Sequence, residues 1–418
     1  MGNKSQYTGQ IMDAIEELAP NCRTGVDLFS GTGVISRALA QRRPTVSIDI
    51  QAYTAVLTQA MCNPQAYTAE KRLKVIKAAS ERLGLLATGF RELIEYESAV
   101  SSRAQHDPLP FALMVEEGSL VQIFSESREL AAAKVEVRSR GLMATIANHY
   151  GGVYYSYRQA LQLDALLWVA SSEQDEQARH TLLAAALGAA SAAVGTVGSH
   201  FAQPARLRDR SGMPKIVAIR SALRSRSIDV FQVFDSLLQK YAELEPSKFT
   251  CRSRTGDYRS ELDMIHDEIG VIYADPPYTR DHYSRFYHVL ETIARGDEPG
   301  FTTAPGVDRP SRGIYRKDRH QSPFSIRSQV LDAMSDLFSR ARAKDSPVVL
   351  SYSPRGSGTA ARAATRLLSI DEISACAESY YGSVQVRPIS DSTHSQFNRR
   401  DLSGEAASDA EVLILMRP

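Results

Sequence analysis

The sequence predicts an α/β protein: an open, doubly wound sheet whose two halves bracket a large, mainly helical insertion. Three observations carry this expectation. Residues 24–50 read as strand, glycine turn, helix, strand and terminal acid, the opening of such a sheet. From about 51 to 265 the apolar residues recur at helical spacing. Strand-like sequence then returns at 269–274 and 347–352.

Taken in order, QIMDAIEEL over 10–18 has the apolar stripe of an amphipathic helix. Thr24–Phe29 is a short apolar run that ends at Ser-Gly-Thr-Gly, after which 34–41 resume helical spacing and 45–50 (TVSIDI) form a second strand. Helices are expected over 70–97, 119–133, 156–171, 175–194 and 228–243. Tyr150-Gly-Gly-Val-Tyr-Tyr-Ser-Tyr157 reads as a loop, and 201–215, with Pro204, Gly212 and Pro214, as an irregular segment. IGVIYA (269–274) is a strand, 281–295 a helix and 296–324 a long loop rich in Gly, Pro and Arg. A helix over 325–342 and strands at 347–352, 384–387 and 412–416 complete the pattern. The expected domains are a split sheet domain over 1–60 and 262–418 and a helical insertion over 61–261.

The chain has 418 residues and a net charge of +1, so any polyanion-binding surface must be a local patch. Its four cysteines, Cys22, Cys62, Cys251 and Cys376, form no C-x-x-C pair, which argues against a structural zinc site and a disulfide framework. The first residues lack the apolar core of a signal peptide. The stretch 181–201 is rich in Ala, Gly and Ser and reads as a close-packed buried helix ending near Gly195, not a membrane span. A reducing, cytoplasmic setting is expected.

Two short motifs bear the chemistry. The first is Asp27-Leu-Phe-Ser-Gly-Thr-Gly33. Glycines at 31 and 33 let backbone approach a ligand at the strand end and accept tight-turn angles. Phe29 can wall such a site, and Asp49, 22 residues after Asp27, can accept hydrogen bonds from ribose hydroxyls. The bland alternative is a plain strand–turn–helix with Asp49 as a solvated cap. Ser36 at the third position of the turn departs from the dinucleotide fingerprint, and no phosphate-binding G-x-x-x-x-G-K-[ST] loop occurs. The second motif is Asp275-Pro276-Pro277-Tyr278, directly after a strand. The strand brings Asp275 to the carboxyl edge of the sheet, and the prolines offer carbonyl acceptors without N–H donors. The Asp275 carboxylate and the Pro276 carbonyl can accept both hydrogens of one amino group, while Tyr278 offers a face for an extruded base. Methyl transfer to an exocyclic base amine, in line and without a metal, is the chemistry this set suits. A ring-carbon methylation would need a nucleophilic thiolate, and none of the cysteines follows a proline as that class requires.

With these motifs in this order, the chain resembles the alpha group of DNA adenine amino-methyltransferases, the Dam-like family of D-P-P-Y type. The resemblance rests on residues 1–60 and 265–295, and more loosely on 150–203, where YSYRQALQLDALL and GTVGSHFAQP look like segments of one subgroup. It implies a Rossmann-like methyltransferase sheet, S-adenosylmethionine as methyl donor and adenine in double-stranded DNA as target. By position, Asn3 and Lys4 resemble the segment at the methionine end of the cofactor. Asp27, Phe29, Ser30, Gly31, Gly33, Asp49, Ile50 and Asp275 resemble the remaining cofactor contacts. Asp275, Pro276, Pro277 and Tyr278 resemble the catalytic set. The Lys4 segment begins almost at Met1, where members usually carry a few more residues, so the start of the chain is expected to clip an edge element. A cognate restriction nuclease or another defence-system protein is the candidate protein partner.

Residues 201–260 hold twelve Lys/Arg against six Asp/Glu, and 307–328 six against two. Arg206, Arg208, Arg210, Lys215, Arg252, Arg254, Arg316 and Lys317 are the candidate DNA contacts; solvated helix faces are the bland reading. His149, His200, His282 and His288 lack ligand spacing, so structural or polynucleotide-contact roles are expected and no metal. Cytosine in DNA, adenine in RNA and an idle binding module are the rival readings.

Overall fold

A computed structural model describes residues 4–21, 23–122, 124–196, 200–280, 282–303, 306, 310–353, 367–389 and 411–418. The chain divides into two compact units: Met1–Pro64 with Glu245–Tyr283 and His320–Pro418, and Gln65–Leu244 with Ser284–Arg319.

The first unit is built on seven strands: β1 (Thr24–Leu28), β2 (Thr45–Asp49), β3 (Cys251–Thr255), β4 (Ile269–Ala274), β5 (Val348–Tyr352), β6 (Ser383–Pro388) and β7 (Val412–Arg417). Their order is β3-β2-β1-β4-β5-β7-β6. The first five run parallel, and β7 runs antiparallel to both β5 and β6. Strand order reverses between β1 and β4, the place where an open α/β sheet opens a crevice at its carboxyl edge.

β1, β4 and β5 are buried at every position because both faces of the sheet are covered. Val271 and Tyr273 of β4, with Val349 and Leu413, pack on the helices Thr8–Leu18 and Val34–Ala40. The alternate residues Ile272, Ala274, Val348 and Leu350 pack on Val330–Ala343 and Ile370–Glu378. This is the pleat's two-residue period read out on two layers.

β3 departs from the expectation of a helical segment there. Its sequence, CRSRT, has no apolar run, because it is an edge strand held by backbone pairing to β2 and by Ser47 Oγ donating to Ser253 Oγ at 2.9 Å. Residues 245–261 therefore group with the sheet, whereas the expected insertion reached 261.

The second unit is helical. The helix expected over 119–133 forms later, at Arg128–Ser139, where the Ser127 side chain accepts the Leu130 N–H and caps it. The expected helix over 70–97 is instead Ala69–Gly89 followed by Arg91–Arg103, parted at the fully buried Phe90. The expected buried helix is Glu176–Ala193, and Gly188 lets it approach Val230–Ala242 closely: a Cβ there would lie 2.6 Å from Leu237 Cδ1. No helix among the described residues is long and apolar enough to cross a membrane. Residues 284–319 join this unit through Tyr150 Oη beside Thr292 Oγ1 (3.0 Å) and Tyr154 Oη donating to Gly313 O (3.0 Å).

Gly33 is held against backbone in the sheet unit. Its φ is +78°, and a Cβ would lie 2.8 Å from the Thr58 Cα of the helix Ala52–Cys62. Gly33→Ala is expected to destabilise this unit by about 1–3 kcal/mol, through left-handed strain and a backbone clash together. A thermal midpoint equal to that of the unmodified protein would contradict this.

Candidate active site

The carboxyl edge of the central strands gathers the residues singled out in the sequence. After β1 the chain turns sharply. Phe29 N donates to Ile48 O (2.8 Å), and Gly33 N to Ser30 O (2.9 Å). Phe29 has a φ of +63°, an uncommon conformation for a bulky residue. Its half-buried ring packs against Tyr258 and Phe324 at 5.6 and 5.2 Å, which holds the turn in that shape. Gly31 also has positive φ, at +54°. Its N–H donates to Asp49 Oδ2 (3.0 Å), while Gln51 N donates to Asp49 Oδ1 (3.0 Å). Asp49 is thus more than a solvated cap: it stitches the glycine turn to the end of β2. Burial raises its pKa above the ordinary carboxylate value. Ile50, at 37% exposure, follows as an apolar surface.

Asp27 lies inside the sheet end, 1% exposed, and accepts the Ser36 hydroxyl. Burial pushes its pKa up to about 7, with Asp275 and Asp49 adding to the rise and Ser36 opposing it. Ser30 Oγ is buried and has no partner.

β4 delivers Asp275 beside this turn, its N–H pointing to Leu28 O at 3.4 Å. The Lys4 ammonium stands 3.2 Å from Asp275 Oδ1. It also donates to Ser351 Oγ (2.9 Å) and to the Glu411 carboxylate, and Ser351 Oγ donates to Glu411 Oε1 (2.9 Å). Burial alone would lower the Lys4 pKa, but Asp275 and Glu411 carry it well above the ordinary lysine value. Asp275 is pushed up to about 6 by burial, with Lys4 pulling down and Glu411 pushing up. Pro276 is buried, and Pro277 and Tyr278 are half-buried. The Tyr278 ring meets Tyr352 edge-on at 5.5 Å, and burial raises its hydroxyl pKa. Asn3 lies outside the described residues.

Ser351 and Glu411 carry no motif, and they reach Lys4 across 347 and 407 residues. The only sequence signal for Glu411 is an acid placed directly before the apolar run of β7. One ammonium against the carboxylates of Asp27, Asp275 and Glu411 leaves the edge short of positive charge. Such a site favours a cationic ligand.

The candidate DNA contacts are divided between the two units. Arg206, Arg210, Lys215 and Lys317 are exposed in the helical unit, and Arg252 is exposed on the edge strand β3. Arg254, also on β3, pairs with Glu261 at 3.3 Å. Two candidates are corrected by their surroundings. Arg316 is 2% exposed and bidentate to Asp297 (2.6 and 2.7 Å), with Asp318 at 3.0 Å. Arg208 is enclosed by Glu116 (3.0 Å), Glu126 (2.9 Å) and Glu117 (3.4 Å). Both guanidiniums are already paired with carboxylates of their own unit. Tyr154, Tyr155 and Tyr157 are buried packing residues. His288 is buried among aromatic rings, which holds its pKa down at about 3.

A mixed sheet of this strand order, parallel through its first five strands, with acids at the tips of three neighbouring strands and a D-P-P-Y turn, is the arrangement of the α/β methyltransferase class. A family model of D12 class N6 adenine-specific DNA methyltransferases matches residues 1–84 and 231–339. Those segments bracket the helical region and take in Lys4, the glycine turn and D-P-P-Y. The chain is also similar to the modification methylase LlaI of Lactococcus lactis subsp. lactis, 40% identical over 68 residues. That stretch is 16% of this chain and 10% of the relative, so the chain spans about a tenth of the length of the relative it matches.

Two outcomes are expected from this geometry. Lys4→Met would leave Asp275 and Glu411 facing each other in a buried site, and should cost about 3–5 kcal/mol in denaturant unfolding; an unchanged midpoint would contradict the pairing. Asp27 has a folded value of about 7 against 3.8 for the free side chain. Its stabilising share is therefore present below about pH 4 and lost as pH rises through 7. Asp27→Asn should flatten the fall in thermal midpoint across pH 4–7, and a slope as steep as that of the unmodified protein would count against a buried, proton-holding Asp27.

Proposed function

We propose that this chain transfers a methyl group from S-adenosylmethionine to the N6 amine of adenine in double-stranded DNA. The observation that carries the reading is the Lys4–Asp275–Glu411 cluster beside the glycine turn, where carboxylates outnumber cations at the switch point of the sheet.

The residues present fit the cofactor. Asp27 is buried and Asp275 half-buried, burial raises the pKa of both, and the partnerless Ser30 hydroxyl adds a polar atom to the same turn. Asp49 and Ile50 at the end of β2 suit a ribose and the face of an adenine. Bound there, S-adenosylmethionine supplies an electrophilic methyl carbon on a positively charged sulfur.

The chain's own part is orientation and electrostatics. Lys4 helps keep Asp275 ionised, opposing the burial that favours its protonated form. An ionised Asp275 accepts one hydrogen of the target amine, and the Pro276 carbonyl accepts the other. Both hydrogen bonds hold the amino group with its lone pair free for in-line attack. Tyr278, braced by Tyr352, offers a face to the flipped adenine. The relative's designation as a modification methylase supports a restriction-modification setting with a cognate nuclease, and genomic DNA as substrate sets the cytoplasm as the place of work.

The test is an assay with methyl-labelled S-adenosylmethionine and unmethylated genomic DNA, followed by nucleoside analysis. Label in N6-methyladenine of DNA is expected. Label in cytosine, or in RNA supplied as a competitor, would move the substrate. Asp275→Ala should lower turnover at least about a hundredfold while leaving the thermal midpoint close to that of the unmodified protein; near-normal turnover would sink the mechanism. Because Asp275 titrates near 6, turnover of the unmodified enzyme should rise with pH through that value. A flat profile from pH 5 to 8 with chemistry rate-limiting would remove Asp275 as the acceptor.

A further inference from the structure

Several partly buried arginines of the helical unit are matched by carboxylates: Arg208 and Arg316 as described above, Arg226 by Glu97 and Arg140 by Glu92. Around Tyr315 the pattern reverses. The guanidinium carbons of Arg285 and Arg319 lie 4.9 and 4.8 Å from the centroid of the Tyr315 ring. Arg285 Nη2 donates to Tyr315 Oη (3.1 Å), and Arg319 Nε to Arg316 O (2.9 Å). Arg312 Nη2 donates to Ala205 O (3.1 Å), while its Nη1 is buried with no partner. Among the described residues, none of these three guanidiniums has a carboxylate within ion-pair distance.

Like charges held near one another are unfavourable, and burial adds to the cost. Burial and Arg285 lower the Arg319 pKa, and burial and Arg206 lower that of Arg312. The face of Tyr315 compensates part of this by cation–π attraction, and the rest calls for an anion. Arg312 and Arg206 also line a cleft of about 340 Å³ with Arg208, Arg210, Asp209 and Glu116. The Glu116 oxygens there are taken by Arg208 and by the Leu207 and Arg208 N–H groups, and Asp209 Oδ1 by its own turn. Base edges would bring hydrogen-bond acceptors but no net negative charge. A phosphodiester brings both, with oxygens spaced for planar guanidinium forks.

We propose that Arg285 and Arg319, stacked on Tyr315, together with Arg312 at the cleft, form the DNA-phosphate clamp of the helical unit. This rests on the DNA reading above. It replaces Arg208 and Arg316, which the sequence singled out, with arginines that the structure leaves without carboxylates.

The experiment is binding of a duplex oligonucleotide to the full chain between 50 and 200 mM NaCl, comparing the unmodified protein with R285Q/R319Q. Each lost phosphate contact removes about 0.9 from the slope of log K against log salt, so the double variant should lose about 1.8, equally for target and non-target duplexes. Binding of S-adenosylmethionine by calorimetry should not change. If the double variant does not fold, R285Q and R312Q singly should each lose about 0.9. An unchanged slope in folded variants of a protein that binds and methylates DNA overturns the clamp and leaves the methyltransferase reading intact. A loss confined to one base sequence overturns it as well, because it would mark a base contact. Failure of the unmodified protein to bind duplex DNA removes the reading and the clamp together.

Discussion

A lysine ammonium buried between two carboxylates is the constraint on which the sheet unit turns. Lys4 stands in the first described turn of the chain, Asp275 follows β4, Ser351 belongs to β5 and Glu411 precedes β7. One charge therefore links both termini of the unit to its centre. Buried ions are unfavourable singly and tolerable only when geometry and hydrogen bonds satisfy them. Here Ser351 bridges the lysine and the glutamate, so the cluster closes on itself. A shift of the N-terminal turn, or of β7 against β5, would leave a charge stranded.

The same edge stores a second kind of tension. Three neighbouring strands carry acids at this edge, and two of these, Asp27 and Asp275, are pushed up to about 7 and about 6 by burial, with Asp275 adding to the rise at Asp27 and Glu411 to that at Asp275. Phe29 takes a left-handed backbone angle to let the turn pass, and its ring is clamped by Tyr258 and Phe324. Strain of this sort persists where surrounding packing over-determines it, and it clusters at functional sites. A cationic ligand at this edge would relieve the electrostatic part without moving the backbone.

In the helical unit, charge is sorted rather than spread. Arg316 and Arg208 look in sequence like the centres of two basic stretches, yet each is spent on carboxylates from its own unit. Arg285 and Arg319 rest instead on an aromatic face. A basic run thus does not say which of its members is available. That depends on which acids the fold brings alongside.

Much of the architecture and half of the site were legible in the chain itself. β4, β5 and β7 declare themselves as apolar runs, because strands covered on both faces are apolar almost throughout, and β1, β2 and β6 as shorter apolar or alternating segments. The glycine turn, Asp49 and D-P-P-Y are visible because local backbone geometry and chemistry demand those residue types at adjacent positions. β3 escaped, since an edge strand held by backbone hydrogen bonds needs no apolar pattern, and the helix caps at Phe90 and Ser127 shifted two expected helices. What only tertiary structure decided are the long-range electrostatic partners: Glu411 and Ser351 for Lys4, the three glutamates around Arg208, and the absence of any described carboxylate beside Arg285 and Arg319. Pattern along a chain reports short-range periodicity and turn chemistry, whereas the state of a charge is set by whatever burial and folding place within a few ångströms of it.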